Sequence, residues 1–245
     1  MGNTGEEAAR LVRTPKPGGG TRWLTVLSRA DERRYGEAVS RVAERIERAL
    51  GPEAMANRTM GRAGANGVRL EPWRPARAAF LGARRRLIAG ARVMVVTDVR
   101  ECYAAIAPGI VAADLAALGA GAQEVHAIYT ILRRLAAEGV RGLPVGPGPS
   151  AILANGVLSR VDAALRVHGV GHVRWVDDVT IAAPDRRSAS AAFDVLRRAL
   201  AARGLQTNEA KTYTLTDRDE IAAMVSGPQR LSRVGGARCA IICPP

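Results

Sequence analysis

Arg174-Trp175-Val176-Asp177-Asp178-Val179-Thr180-Ile181 sets two adjacent carboxylates between apolar and β-branched stretches. Two like charges side by side repel each other unless a cation lies between them. A third aspartate, Asp98, closes the apolar run Arg92-Val93-Met94-Val95-Val96-Thr97-Asp98. Such a run predicts a fully buried strand that brings Asp98 out at its C-terminal end. If Asp98, Asp177 and Asp178 surround one spot, their hard oxygens suit Mg²⁺, with Mn²⁺ as a substitute. Two such ions can clamp the attacking and leaving oxygens of an in-line phosphoryl transfer. A lone Asp-Asp pair is otherwise a solvated acidic turn, so the rest of the chain must separate the two readings.

Two loops have the composition to grip anions. Thr14-Pro15-Lys16-Pro17-Gly18-Gly19-Gly20-Thr21-Arg22 joins glycines, which let backbone N–H groups approach a phosphate, to the cations Lys16 and Arg22. It reads equally as a basic surface hairpin. Gly142-Leu143-Pro144-Val145-Gly146-Pro147-Gly148-Pro149-Ser150 is a rigid approach to a helix start, able to bind an anion or lie against a base pair. It also reads as a plain connector. Net charge favours the anion-binding readings: 36 Lys and Arg against 23 Asp and Glu leave the chain at +13. That excess calls for a polyanionic partner, nucleic acid or an anionic membrane surface. No apolar run approaches the length of a membrane span. Residues 1–10 are polar and unlike a signal peptide. The three cysteines, Cys102, Cys239 and Cys243, are too sparse for a disulfide framework and suit a reducing compartment. His168 and His172 with Cys239 and Cys243 lack the usual zinc-finger spacings.

These groups need a scaffold. Periodicity predicts strands either side of the Lys16 loop, then a helix over 32–50 capped by Asp31. Residues 51–68 have no period and read as a mobile loop. A basic helix over 75–90 precedes the Asp98 strand. Helices follow over 123–138 and 150–167, with His168 at the end of the latter. A hairpin with strands at 172–176 and 179–183 carries the acidic pair at its tip. A helix over 188–203, stopped by Gly204, leads to a last strand over 211–215. This alternation predicts an α+β fold with an antiparallel sheet and helices on one face. In such a sheet the end of the Asp98 strand and the tip of the hairpin are neighbours.

In sequence the chain resembles the fingers and palm of a reverse transcriptase. Thr97-Asp98-Val99-Arg100-Glu101-Cys102-Tyr103 resembles the first palm motif, and the 142–150 turn with Ile152-Leu153-Ala154-Asn155 and Leu158-Ser159-Arg160-Val161-Asp162 the second. Trp175-Val176-Asp177-Asp178 resembles the aromatic-x-Asp-Asp box. Gly204-Leu205-Gln206-Thr207-Asn208-Glu209-Ala210-Lys211 resembles the lysine-bearing motif, and Pro15-Lys16-Pro17-Gly18 with Arg22 the fingers motif. The motifs run in the family's order over residues 13–215, far more specific than any one alone. The resemblance implies a right-hand polymerase, with fingers over 1–90, palm over 91–216, a short tail over 217–245 and no recognisable thumb. It implies that Asp98, Asp177 and Asp178 hold the metals. Lys16 and Arg22 would contact a dNTP, with Pro144, Val145 and Gly146 also at the nucleotide. Lys211 would neutralise the leaving pyrophosphate, and Tyr103 would lie under the sugar and exclude a 2′-hydroxyl.

The expected activity is RNA-directed DNA synthesis on an RNA template or RNA–DNA hybrid. A partner subunit or second copy would supply the thumb. The turn Gly-Leu-Pro-Val-Gly-Pro resembles bacterial antiphage-defence enzymes, which implies a bacterial cytoplasmic location. Val145 stands where the family usually has Gln, which keeps a catalytically inactive nucleic-acid-binding scaffold open. A template-independent nucleotide polymerase also remains.

Overall fold

The computed structural model describes residues 9–15, 20–61 and 68–226, and these form two compact units. Lys16, Cys239, Cys243 and the tail beyond residue 226 lie outside the described residues. The units interleave along the chain. Described parts of Met1–Ala49, Asn57–Leu70 and Tyr103–Val157 make the first; Leu50–Ala56, Glu71–Cys102 and the chain from Leu158 make the second.

In the first unit, strands β1 (Ala9–Pro15) and β2 (Thr21–Leu27) pair antiparallel, with Thr14 opposite Arg22. Helix α1 (Arg29–Ala49) buries Tyr35, Val39, Val42 and Ile46, the stripe expected from their spacing. Its N-cap is Ser28 and not Asp31. The Ser28 hydroxyl accepts the Asp31 N–H at 3.1 Å and donates to the Asp31 carboxylate at 2.7 Å. Asp31 instead sits in the first turn and takes the Arg134 guanidinium at 2.9 Å. After the one-turn helix α3 (Cys102–Ala105; α2 follows below) comes α4 (Pro108–Ala117), with proline at its start. Its small apolar residues show no stripe, so periodicity does not reveal it. Helix α5 (Ala122–Ala137) buries Ile128, Leu132 and Leu135. Helix α6 (Gly148–Val167) gives its residues up to Val157 to this unit, where the Tyr35 hydroxyl meets the Ser150 hydroxyl at 3.1 Å.

In the second unit, strands β3 (Val93–Asp98), β4 (His172–Trp175), β5 (Asp178–Ala183) and β6 (Tyr213–Leu215) form one antiparallel sheet in the order β4-β5-β3-β6. All six β3 residues are buried, as its unbroken apolar run predicts. Helix α2 (Trp73–Ile88) and helix α8 (Arg218–Ser226) pack Ile88 and Ile221 against Met94 and Val96 of β3. Helix α7 (Arg186–Ala201) packs on β3 and β5. Its end is turned by Gly204, whose φ of 68° is the left-handed conformation glycine adopts most readily. Residues 51–61 are more structured than their composition suggests. Ala54 bridges Arg174 in the second unit, and Thr59 bridges Leu70 in the first. No helix among the described residues is long and apolar enough to cross a membrane.

Candidate active site

The acidic hairpin turns one residue earlier than its sequence suggests. Trp175 pairs with Asp178, so the two-residue tip is Val176-Asp177 and Asp178 opens β5. Positive φ at the first tip residue, 56° at Val176, is what a type II′ turn requires and usually assigns to glycine. The shift matters for chemistry, because Asp178 becomes the cross-strand partner of Asp98 at the end of β3. Asp177 is tied to the same strand end, its carbonyl accepting the Val99 N–H at 3.1 Å. Lys211 lies in a 3-10 turn (Glu209–Lys211) rather than in the following strand. That turn is docked on β3: Asn208 N–H donates to the Asp98 carbonyl at 2.8 Å, and Val99 bridges Thr207. The Lys211 ammonium is thereby ion-paired with the Asp98 carboxylate.

Electrostatics mark this as a place that lacks positive charge. Burial, then the charges of Asp177 and Asp98, push the Asp178 carboxyl up to about 7. Burial and Asp98 likewise raise Asp177 above the ordinary carboxylate range. Burial works against the Lys211 ammonium, yet its hydrogen bond to Asp98 holds its pKa above the usual value. One Asp98 oxygen, Oδ1, is buried without a hydrogen-bond partner, a costly state for a carboxylate oxygen. A hard divalent cation fits this donor set, since it would satisfy that oxygen and the repelling carboxylates together. Above the hairpin, Arg77 stacks 5.1 Å from the Trp175 ring, and Phe80 lies 5.5 Å from that ring.

A second acidic cluster lies behind the hairpin. Buried Glu53, Asp162 and His172 bring ligand-type atoms within 4.8 Å of one another. Unlike the first cluster, its charge is already balanced. Arg166 pairs with Glu53, and the fully buried Arg174 forks onto Asp162 through Nε at 3.0 Å and Nη2 at 2.7 Å. Burial alone would raise the Asp162 carboxyl, but Arg174 and His172 bring it down to about 2. A divalent ion would have to compete with two guanidinium groups there. The sequence signal for this pair was one charged residue within each of two apolar core elements, Asp162 in α6 and Arg174 in β4.

The remaining predicted residues among those described lie in the first unit. Arg22 is an exposed residue of β2. The Thr25 N–H of the same strand donates to the Val145 carbonyl at 2.8 Å, which holds the Pro144-Val145-Gly146 turn against β2. The turn is joined to Tyr103 through its other end, where the Leu143 N–H donates to the Tyr103 carbonyl at 2.8 Å. Thus the first unit gathers Arg22, the turn and Tyr103 on connected backbone, and the second gathers Asp98, Asp177, Asp178 and Lys211.

The profile of the family described as reverse transcriptase (RNA-dependent DNA polymerase) matches residues 14–225. Among solved structures, telomerase from Candida albicans in complex with the TWJ fragment of telomeric RNA is similar at 13% identity and a TM-score of 0.56, over 86% of this chain and 42% of that one. Apo telomerase from Candida tropicalis truncated from its C-terminal domain is similar at 12% identity and a TM-score of 0.53, over 86% and 50%. The apo telomerase of Candida tropicalis gives 12% identity and a TM-score of 0.51, over 90% and 46%. The chain therefore spans about half the length of these structures or less, and at such identity the likeness is one of fold. No curated protein matches in sequence.

Proposed function

The chain belongs to the reverse transcriptase family, and from that membership we propose that it is an RNA-directed DNA polymerase that adds dNTPs by two-metal nucleotidyl transfer. The observation that carries this reading is the pairing of Asp98 with Asp178 across β3 and β5, with Asp177 at the adjoining tip and one Asp98 oxygen buried without a hydrogen-bond partner. Asp98, Asp177 and Asp178 would hold Mg²⁺ or Mn²⁺, which supplies charge to the in-line displacement when bound. Lys211 carries the proton and charge suited to a leaving pyrophosphate, and Asp98 keeps it in place. Arg22, with Lys16, would grip the triphosphate. Val145 and its neighbours would border the nucleotide, and the Tyr103 ring would exclude a 2′-hydroxyl.

The proposed partners are an RNA template and the RNA–DNA hybrid it becomes. The similar structures are about twice as long, so further segments, a partner subunit or a second copy would complete the grip on the duplex. Bacterial antiviral defence in the cytoplasm is the setting suggested by the resemblance of the 142–147 turn. The assay is incubation of the purified chain with Mg²⁺, a primed RNA template and labelled dNTPs or rNTPs, followed by nuclease digestion of the product. DNase-sensitive, template-dependent product is expected. Val145, at the position the family usually gives to Gln, favours the second reading, a nucleic-acid-binding scaffold without turnover. Binding without incorporation would establish that reading, and product without template would indicate a template-independent polymerase.

A further inference from the structure

Arg174 does more than neutralise Asp162. Two of its nitrogens fork onto that carboxylate, and the third, Nη1, donates to the Val176 carbonyl at 2.8 Å. Val176 is the tip residue with a φ of 56°. For a β-branched residue that conformation is sterically unfavourable. The peptide that Arg174 grips is the one joining Val176 to Asp177.

The anchor is itself fixed. Asp162 is 1% exposed within α6, and Arg174 is 1% exposed. The backbone of Arg174 is bound on both sides, its N–H to the Glu53 carbonyl at 2.8 Å and its carbonyl to the Met55 N–H at 3.0 Å. A buried ion pair is a poor device for stability alone, since apolar residues of similar volume serve as well or better. Its third hydrogen bond gives this pair a different use. Lysine could not replace it, because an ammonium lacks the planar fork that reaches Asp162 and the carbonyl at once.

We propose that Arg174, held by Asp162, is a positioning residue: it locks the Val176–Asp177 peptide so that the Asp177 carboxylate stays beside Asp98. The proposal rests on the polymerase reading for its effect on rate, but not for its effect on the turn. The test uses the full chain and two variants. Arg174→Lys keeps the charge and loses the fork; Arg174→Met with Asp162→Leu removes the pair and restores apolar packing. For Arg174→Lys, kcat for dNTP incorporation on a primed RNA template should fall roughly tenfold to a hundredfold, with KM for dNTP within about twofold. Amide hydrogen exchange at residues 176–179 should quicken while the rest of the sheet is unchanged. The double variant should melt near the wild-type temperature and still lack full kcat.

Wild-type kcat in either variant would overturn the proposal, as would failure of both to fold, which would make the pair a support of the whole unit. If the wild-type chain incorporates nothing, the polymerase reading fails, and exchange at the hairpin still decides this one: faster in Arg174→Lys supports it, unchanged refutes it.

Discussion

Asp177 carries the sharpest consequence of the proposed chemistry. Asp177→Asn preserves size and removes one anionic metal ligand, so nucleotide incorporation should fall by orders of magnitude while the melting temperature holds or rises. It should not fall, because burial and Asp98 already oppose the Asp177 charge. Equal incorporation by variant and wild type would remove Asp177 from the reaction. Asp178 adds a pH signature. Its folded-state value of about 7 lies above the unfolded value, so between about pH 4 and 7 the folded protein holds a proton that the unfolded chain has lost. Stability of the metal-free protein should therefore decline as pH rises through that window and level off above it. Mg²⁺ should offset the decline, with its stabilising effect growing from about pH 5 to pH 8. Thermal melts with and without Mg²⁺ check both. Asp162 acts in a separate window and in the opposite sense. Its value of about 2 means that its contribution is present above pH 4 and lost as pH falls towards 2.

At the scale of elements, the site depends on turns more than on helices. Gly142 has a φ of 62°, and a Cβ there would come within 2.6 Å of the Ala104 carbonyl oxygen and closer still to that of Tyr103. Gly142→Ala thus combines an unfavourable backbone conformation with a clash against the α3 segment. A loss on the order of 2–4 kcal/mol is expected, or roughly 5–15 °C in melting temperature. Calorimetry reads the loss, and a variant that melts with wild type would mean that the turn is free to move away from Tyr103. The Glu209–Lys211 turn shows the same dependence from the other side of the chemistry. Lys211 reaches Asp98 because Asn208 and Thr207 are bonded to the end of β3, and a strand beginning at Lys211 would not require that arrangement.

For the whole molecule, the governing quantity is the net charge of +13. An excess of that size favours binding to nucleic acid by counterion release, with log affinity falling by about 0.9 per phosphate neutralised for each unit of log salt. Binding to an RNA–DNA hybrid, measured by fluorescence anisotropy over a salt series, should show a clearly negative slope. A flat slope, or no binding at low salt, would contradict the nucleic-acid partner. The basic residues are not all free for this role. Arg174 is wholly buried on Asp162, and Arg45, Arg58, Arg134 and Arg166 are committed to carboxylates, so the count of 36 basic residues overstates the contact surface while the net excess is unaffected.

Residue type and order alone were enough for the long amphipathic helices, though not for α3 or α4, and for the buried strand ending at Asp98, the acidic hairpin and the antiparallel α+β plan. Each of these is written in local periodicity or in a short motif, and local patterns survive in a bare sequence. The exact tip of the hairpin was not legible, because Val176-Asp177 is an unlikely pair for a turn that favours glycine first. Tertiary hydrogen bonds from Arg174 and Val99 decide it. The Arg174–Asp162 pair was invisible for a related reason: its partners are twelve residues apart on different elements, and a charge within an apolar run discloses burial but not its partner. The resemblance to the family, and not alternation along the chain, implied fingers over residues 1–90 and palm over 91–216. The described residues form two compact units that interleave along the chain, with α2 grouped with the sheet and α4 and α5 grouped with α1. Only the folded chain could decide that, since which apolar stripe covers which is settled by packing and not by order in the sequence.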